Sequence, residues 1–147
     1  MADRIAVLQH GRVEQLAPPV ELYERPRSLF VARFIGSNNL FQGTVDPAGV
    51  AVTDVGLLPA SDTGLMAPGT TAWLGIRPEH VMVVESAAML VGVVMDTQFY
   101  GGLSSLAVEV AGRSDPVIVT QQGVTRVGRG TQVGLAWDPD RAVVLPA

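Results

Sequence analysis

Apolar residues along the 147-residue chain fall into short runs, not long periodic stretches. Arg4 to Gln9 and Arg12 to Leu16 flank His10-Gly11, and the glycine supplies the positive φ that a two-residue hairpin turn needs. Pro18 and Pro19 open a segment through Val20, Glu21, Leu22 and Tyr23, and Pro26 sits where the first turn of a second helix tolerates it. In that second segment Phe30 with Phe34 and Val31 with Ile35 are i,i+4 pairs, the apolar ridges of a short helix that Gly36 is placed to stop. The chain is therefore expected to begin β-β-α-α. From Leu40 onward every apolar run is short, rich in valine and broken by turn residues, so the remainder reads as strands. Ser37-Asn38-Asn39 reads as a linker dividing residues 1–36 from residues 37–147.

The downstream part contains an internal echo. Residues 69–84 overlie residues 130–145 without a gap, with Gly69/Gly130, Thr70/Thr131, Leu74/Leu135, Pro78/Pro139 and Val83/Val144 identical and Glu79/Asp140 both acidic. Each unit reads as a strand, a proline-acid turn and a second strand, a duplicated hairpin serving one barrel or two coupled half-barrels. Between the units Met89 to Asp96 is a nearly unbroken apolar strand, Phe99-Tyr100-Gly101-Gly102 turns it, and Leu103 to Val110, Pro116 to Val119 and Val133 to Trp137 add further strands. The predicted fold is mainly β: a small barrel of oligonucleotide/oligosaccharide-binding (OB) type, preceded by a β-hairpin and two short helices.

Composition narrows the chemistry. Hydrophobic residues make up 48% and charged ones 16%, a folding composition, and no apolar run approaches the roughly 20 residues of a membrane helix. No secretory signal pattern opens the sequence, so a cytoplasmic site is expected. Cysteine is absent and the two histidines are far apart, which argues against thiolate nucleophiles and zinc sites. All ten basic residues are arginine, so a phosphate-loop lysine and Schiff-base chemistry are excluded. A net charge of −4 and 5% aromatics disfavour nucleic acid as a partner.

The densest cluster of reactive side chains is Arg77-Pro78-Glu79-His80. Pro78 fixes φ and biases Arg77 to extended geometry, and no nucleophile with an orienting partner stands nearby, so a strand-ending turn with an interface or salt-bridge role for Arg77 and Glu79 is expected over catalysis by His80. Gly101-Gly102 lacks a following helix and reads as a hairpin, not a phosphate cradle. Asp138-Pro139-Asp140 reads as a solvated loop, and Phe30 and Phe34 as docking residues. The candidate interface set is therefore Phe30, Phe34, Arg77, Glu79 and His80, with no catalytic, cofactor or metal residue.

Residues 1–15 resemble the stretch that follows the switch histidine in ATP-binding subunits of ABC importers, and Pro19 to Gly36 is similar to that family's closing two-helix segment. Gly75-Ile-Arg-Pro-Glu-His-Val81 and Trp137-Asp-Pro-Asp-Arg-Ala-Val-Val-Leu-Pro146 are similar to the regulatory extension called the TOBE domain, in the form found in polyamine and ferric-iron importers. The resemblance implies a fragment of a longer ATPase subunit, with Met1 standing at an internal methionine. It implies a parent that uses ATP and magnesium, works with membrane permease subunits and sits at the inner face of the membrane. For this chain it implies a non-catalytic module that holds an ATPase homodimer together. A second implied role is sensing a small anion, with Arg77, Arg113, Arg126 or Arg129 supplying the charge. Separation from a nucleotide domain further predicts that residues 1–35 are disordered or packed against another chain.

Overall fold

The computed structural model describes residues 3–64, 66–123 and 127–147. Strands β1 (Ile5–Gln9) and β2 (Arg12–Ala17) form the expected hairpin, with His10 and Gly11 at φ 52° and 76°, the pair of positive values of a type I′ turn. Helices α1 (Pro19–Glu24) and α2 (Leu29–Phe34) follow, with Pro19 at the first position of α1 and Gly36 just beyond α2 at φ 88°. Pro26 differs from expectation. It is buried in the connection, and α2 begins instead at Ser28, whose hydroxyl accepts from the Val31 amide at 3.2 Å. A capping hydroxyl satisfies a free amide, which an N1 proline only avoids presenting.

Ten further strands build two five-stranded antiparallel sheets. Strands β3 (Asn39–Asp46), β4 (Gly49–Val52), β5 (Gly56–Pro59) and β6 (Thr71–Ile76) lead through a 3₁₀ turn at Pro78–His80 to β7 (Met82–Val84). Strands β8 (Leu90–Tyr100), β9 (Leu103–Val110), β10 (Val117–Gln122) and β11 (Gln132–Ala136) lead through a matching turn at Pro139–Arg141 to β12 (Val143–Pro146). The sheet orders are β12-β6-β3-β4-β5 and β7-β11-β8-β9-β10, so the two halves correspond strand for strand. Only the last strand of each half crosses to the other sheet, β7 pairing with β11 and β12 with β6.

The sequence echo is thus a structural repeat, but its units are not hairpins. The 3₁₀ turn after each first strand carries the chain away from its own sheet, because the proline offers no amide for a tight two-strand return. Equivalent hydrogen bonds confirm the correspondence. Gly69 N donates to Val45 O and Val45 N to Thr70 O, both at 2.8 Å, while Gly130 N donates to Val94 O and Val94 N to Thr131 O, at 2.8 and 2.9 Å. Gly69 and Gly130 hold the same left-handed φ, 88° and 87°. The halves differ in the β8–β9 hairpin, which runs on through a bulge at Met95 to a turn at Gly101-Gly102, whereas β3 and β4 turn back after Asp46.

Phe41, Val50, Leu58, Leu74, Leu106, Val108, Val119 and Leu135, drawn from both sheets, belong to one contiguous apolar core. Val7, Ala17, Leu22 and Val31 form a second, separate cluster within the hairpin and helices. Residues 3–35 are consequently folded around their own small core and docked on the barrel of the same chain. The expectation that this segment is disordered or held by another chain is corrected. Its substitute partner is the Arg77 side of the barrel.

Candidate functional site

The hairpin-helix unit meets the barrel at Arg77, which follows β6 and is only 4% exposed. Its guanidinium lies 4.2 Å from the centre of the Tyr23 ring. Nη2 and Nε donate to Tyr23 O at 3.1 and 3.3 Å, and Nη1 donates to Ser37 O at 2.7 Å and Ala32 O at 3.4 Å. These carbonyls lie at the ends of α1 and α2, where helices leave acceptors without partners of their own. One buried cation thus caps two helices and the segment after them. Burial lowers the Arg77 pKa, while Tyr23 and Glu79 oppose that shift. The Tyr23 hydroxyl donates to Glu79 Oε2, and its pKa is pushed up to about 12, first by burial and then by the Glu79 hydrogen bond and charge.

Two other buried polar side chains act in the same region. Gln15 pins the connection between the helices, donating to Arg25 O at 3.2 Å and accepting from Arg27 N at 2.8 Å. Asn39 ties the start of β3 to β10, donating to Ile118 O at 2.9 Å and accepting from Ile118 N at 2.8 Å. The polar triplet read as a linker is therefore fastened at its last residue.

Against the sequence expectations, the five candidate interface residues separate. Arg77 is committed within the chain, so it is no surface for another molecule; the need to cap buried helix ends keeps it inside. Arg77 and Glu79 both meet Tyr23, Arg77 at its ring face and carbonyl and Glu79 at its hydroxyl. His80 is half-buried with Nδ1 lacking a partner among the described residues, and its backbone amide closes the turn on Arg77 O at 2.9 Å. Phe30 packs against the small cluster, and Phe34, 66% exposed, stacks on it with 5.7 Å between ring centres. Tyr23 was missed. Its signal is faint, an aromatic at the end of a six-residue helix whose partners lie more than fifty positions away.

Beside the clamp lies an open cleft of about 720 Å³, walled by Arg33 and Phe34 of α2, Asn38, Trp73 of β6, Arg113 of the β9–β10 loop and Ile118 of β10, with Asp115 also in the lining. The Arg33 guanidinium lies 5.4 Å from the Trp73 ring centre. Arg113 lies 4.0 Å from the centre of the Phe41 ring and donates from Nη1 to Leu40 O at 2.8 Å, and its Nε is buried without a partner among the described residues. Burial lowers its pKa against the pull of Asp115. Of the other arginines named for anion contacts, Arg129 is exposed away from this cleft and Arg126 lies outside the described residues.

Residues 74–145 match the family described as TOBE domain. Along 94% of its length the chain is 40% identical to the alpha-glucoside transport ATP-binding protein AglK of Rhizobium meliloti. It is 36% identical over 99% of its length to the spermidine/putrescine import ATP-binding protein PotA of Frankia alni, and 36% over 95% to the sn-glycerol-3-phosphate import ATP-binding protein UgpC of Paracoccus denitrificans. The chain spans 40%, 36% and 39% of these relatives respectively. In fold it is similar to the cytoplasmic molybdate-binding protein ModG, with a TM-score of 0.58 over 74% of this chain and 96% of that one at 13% identity.

Proposed function

Because this chain belongs to the family of ABC importer ATP-binding subunits through its TOBE region, we propose that it is a regulatory and dimerisation module that keeps two such subunits paired while leaving ATP turnover to other residues of the subunit. The observation that carries this reading is the TOBE match across most of the barrel, in a chain whose relatedness to the importer subunits extends through the hairpin-helix unit as well. The parent subunit would use ATP with magnesium and engage membrane permease subunits from the cytoplasmic face. Among the described residues no helix is long and apolar enough to cross a membrane.

An exposed apolar strip supports the self-pairing part. Val91, Val93 and Met95 stand along β8 at 51%, 44% and 42% exposure. Alternate residues of a strand share one face, so Val91 and Val93 stand together outside the barrel, and Met95, at the bulge that follows, is exposed as well. Sedimentation velocity tests the reading: the chain is expected to self-associate at micromolar concentration, and Val93→Glu to return it to monomer. A wild-type chain that stays monomeric at high micromolar concentration overturns the dimerisation role.

A further inference from the structure

We propose that the cleft between α2 and the β9–β10 loop binds a small phosphate-bearing molecule, its phosphate held by Arg33 and Arg113 and its remainder lying against Trp73 and Phe34. The site goes beyond the self-pairing role and stands on different residues.

The charge arrangement argues for an anion. Arg113 is half-buried, yet among the described residues its one hydrogen bond is to Leu40 O, and its Nε–H is sealed from solvent without an acceptor. A buried donor left unmatched is costly, and one on a cation more so. No carboxylate oxygen lies within 4.0 Å of Arg113 or Arg33 among the described residues, where the ion pair is Arg141 with Glu24. Two guanidiniums lining one cleft with no carboxylate oxygen within 4.0 Å among the described residues suit a doubly charged oxyanion, whose oxygens accept their forked donors.

The cleft's size argues for more than a bare ion. At about 720 Å³ it exceeds what one tetrahedral oxyanion fills, and Trp73, Phe34 and Ile118 give the rest of it apolar walls. Asn38, in the same lining, has a buried Oδ1 with no partner among the described residues, an acceptor that a turn of the side chain away from Gly75 would offer to a ligand hydroxyl. A phosphate ester of a small hydroxylated molecule meets all of these groups. Asp115 is the opposing charge in the lining and limits affinity.

Position gives binding a consequence. Arg33 belongs to α2 and Arg113 to the barrel, so a ligand spanning both would tighten the junction that Arg77 already clamps. Calorimetric titration of the whole chain with glucose 6-phosphate, inorganic phosphate and glucose tests the site, read in parallel by tryptophan emission. Trp73 lines the cleft, whereas Trp137 is buried with Nε1 donating to Pro59 O. Glucose 6-phosphate is expected to bind, inorganic phosphate more weakly and glucose not at all. Arg33→Gln and Arg113→Gln should each weaken binding by about tenfold, and Asp115→Asn should strengthen it about threefold. Arg33 is exposed, so its variant remains informative even where the Arg113 variant folds poorly. Absence of saturation by either phosphate probe below about 10 mM, or binding indifferent to Arg33→Gln, overturns the site. Inorganic phosphate binding as tightly as the ester overturns the role given to Trp73 and Phe34. The readout is ligand binding, not assembly, so failure here leaves the self-pairing proposal standing.

Discussion

The barrel and the hairpin-helix unit are held together in different ways. The barrel draws its buried core from β3 to β6 and β8 to β11, with Val83 of β7 and Val144 of β12 packed against it, and the two sheets exchange those last strands, so each half completes the other. The apolar cluster of the hairpin-helix unit holds only Val7, Ala17, Leu22 and Val31 as buried members, and a segment of some thirty residues rarely supports itself on so small a core. What it lacks in apolar burial it gains from polar contacts with the barrel, led by Arg77 on the helix carbonyls and joined by Glu79 on Tyr23, Trp73 under Arg33 and Arg141 beside Glu24. Cohesion by distributed packing and cohesion through a few polar contacts centred on Arg77 should respond differently to substitution.

The largest effect is expected in the barrel. Leu74→Ala and Leu135→Ala occupy equivalent repeat positions, both fully buried, and each should cost about 3–4 kcal/mol in chemical denaturation. Because the strand exchange couples the halves, each should lower the unfolding midpoint of the whole barrel. Loss of one sheet with retention of the other would refute that coupling.

Arg77→Met is next, at about 3 kcal/mol, since it strips donors from the Tyr23, Ala32 and Ser37 carbonyls. Here the damage should be local. Hydrogen exchange should accelerate across residues 19–35 while the barrel amides stay protected, and uniform loss of protection would remove the distinction between the two regions.

Ser28→Ala deletes the cap of α2 and should cost about 1 kcal/mol, again confined to the helices by hydrogen exchange. Tyr23→Phe is the smallest change, about 0.5 kcal/mol at neutral pH from one partly exposed hydrogen bond. Its signature is in the pH dependence. The folded Tyr23 pKa of about 12 lies above its ordinary 10.0, so its contribution is complete below pH 10 and fades as pH rises through 12. Wild-type stability should therefore fall over that interval, and the Phe variant should fall less. Equal alkaline slopes would show that the phenol is not linked to folding.

The elements whose cause is local were legible in the chain. His10-Gly11 sets the hairpin, the i,i+4 pairs set α2, and the repeated glycine and proline positions mark two equivalent turns. Pro26 misled because a proline before a helix and one inside its first turn leave the same mark in a sequence, and only the Ser28 hydroxyl distinguishes them. Arg77 was noticed for its neighbours in sequence, yet its partners lie 40 to 54 positions away. Local spacing says nothing of which distant carbonyls need a donor.

By itself the sequence determined where the chain turns and which stretches extend, because φ preferences, capping and side-chain alternation act over a few residues. The tertiary structure alone decided that β7 and β12 change sheets, that Arg77 faces inward, and that Arg33 and Arg113 share a cleft. Those outcomes depend on burying apolar surface and satisfying buried polar groups across the whole molecule, and no short window contains both partners.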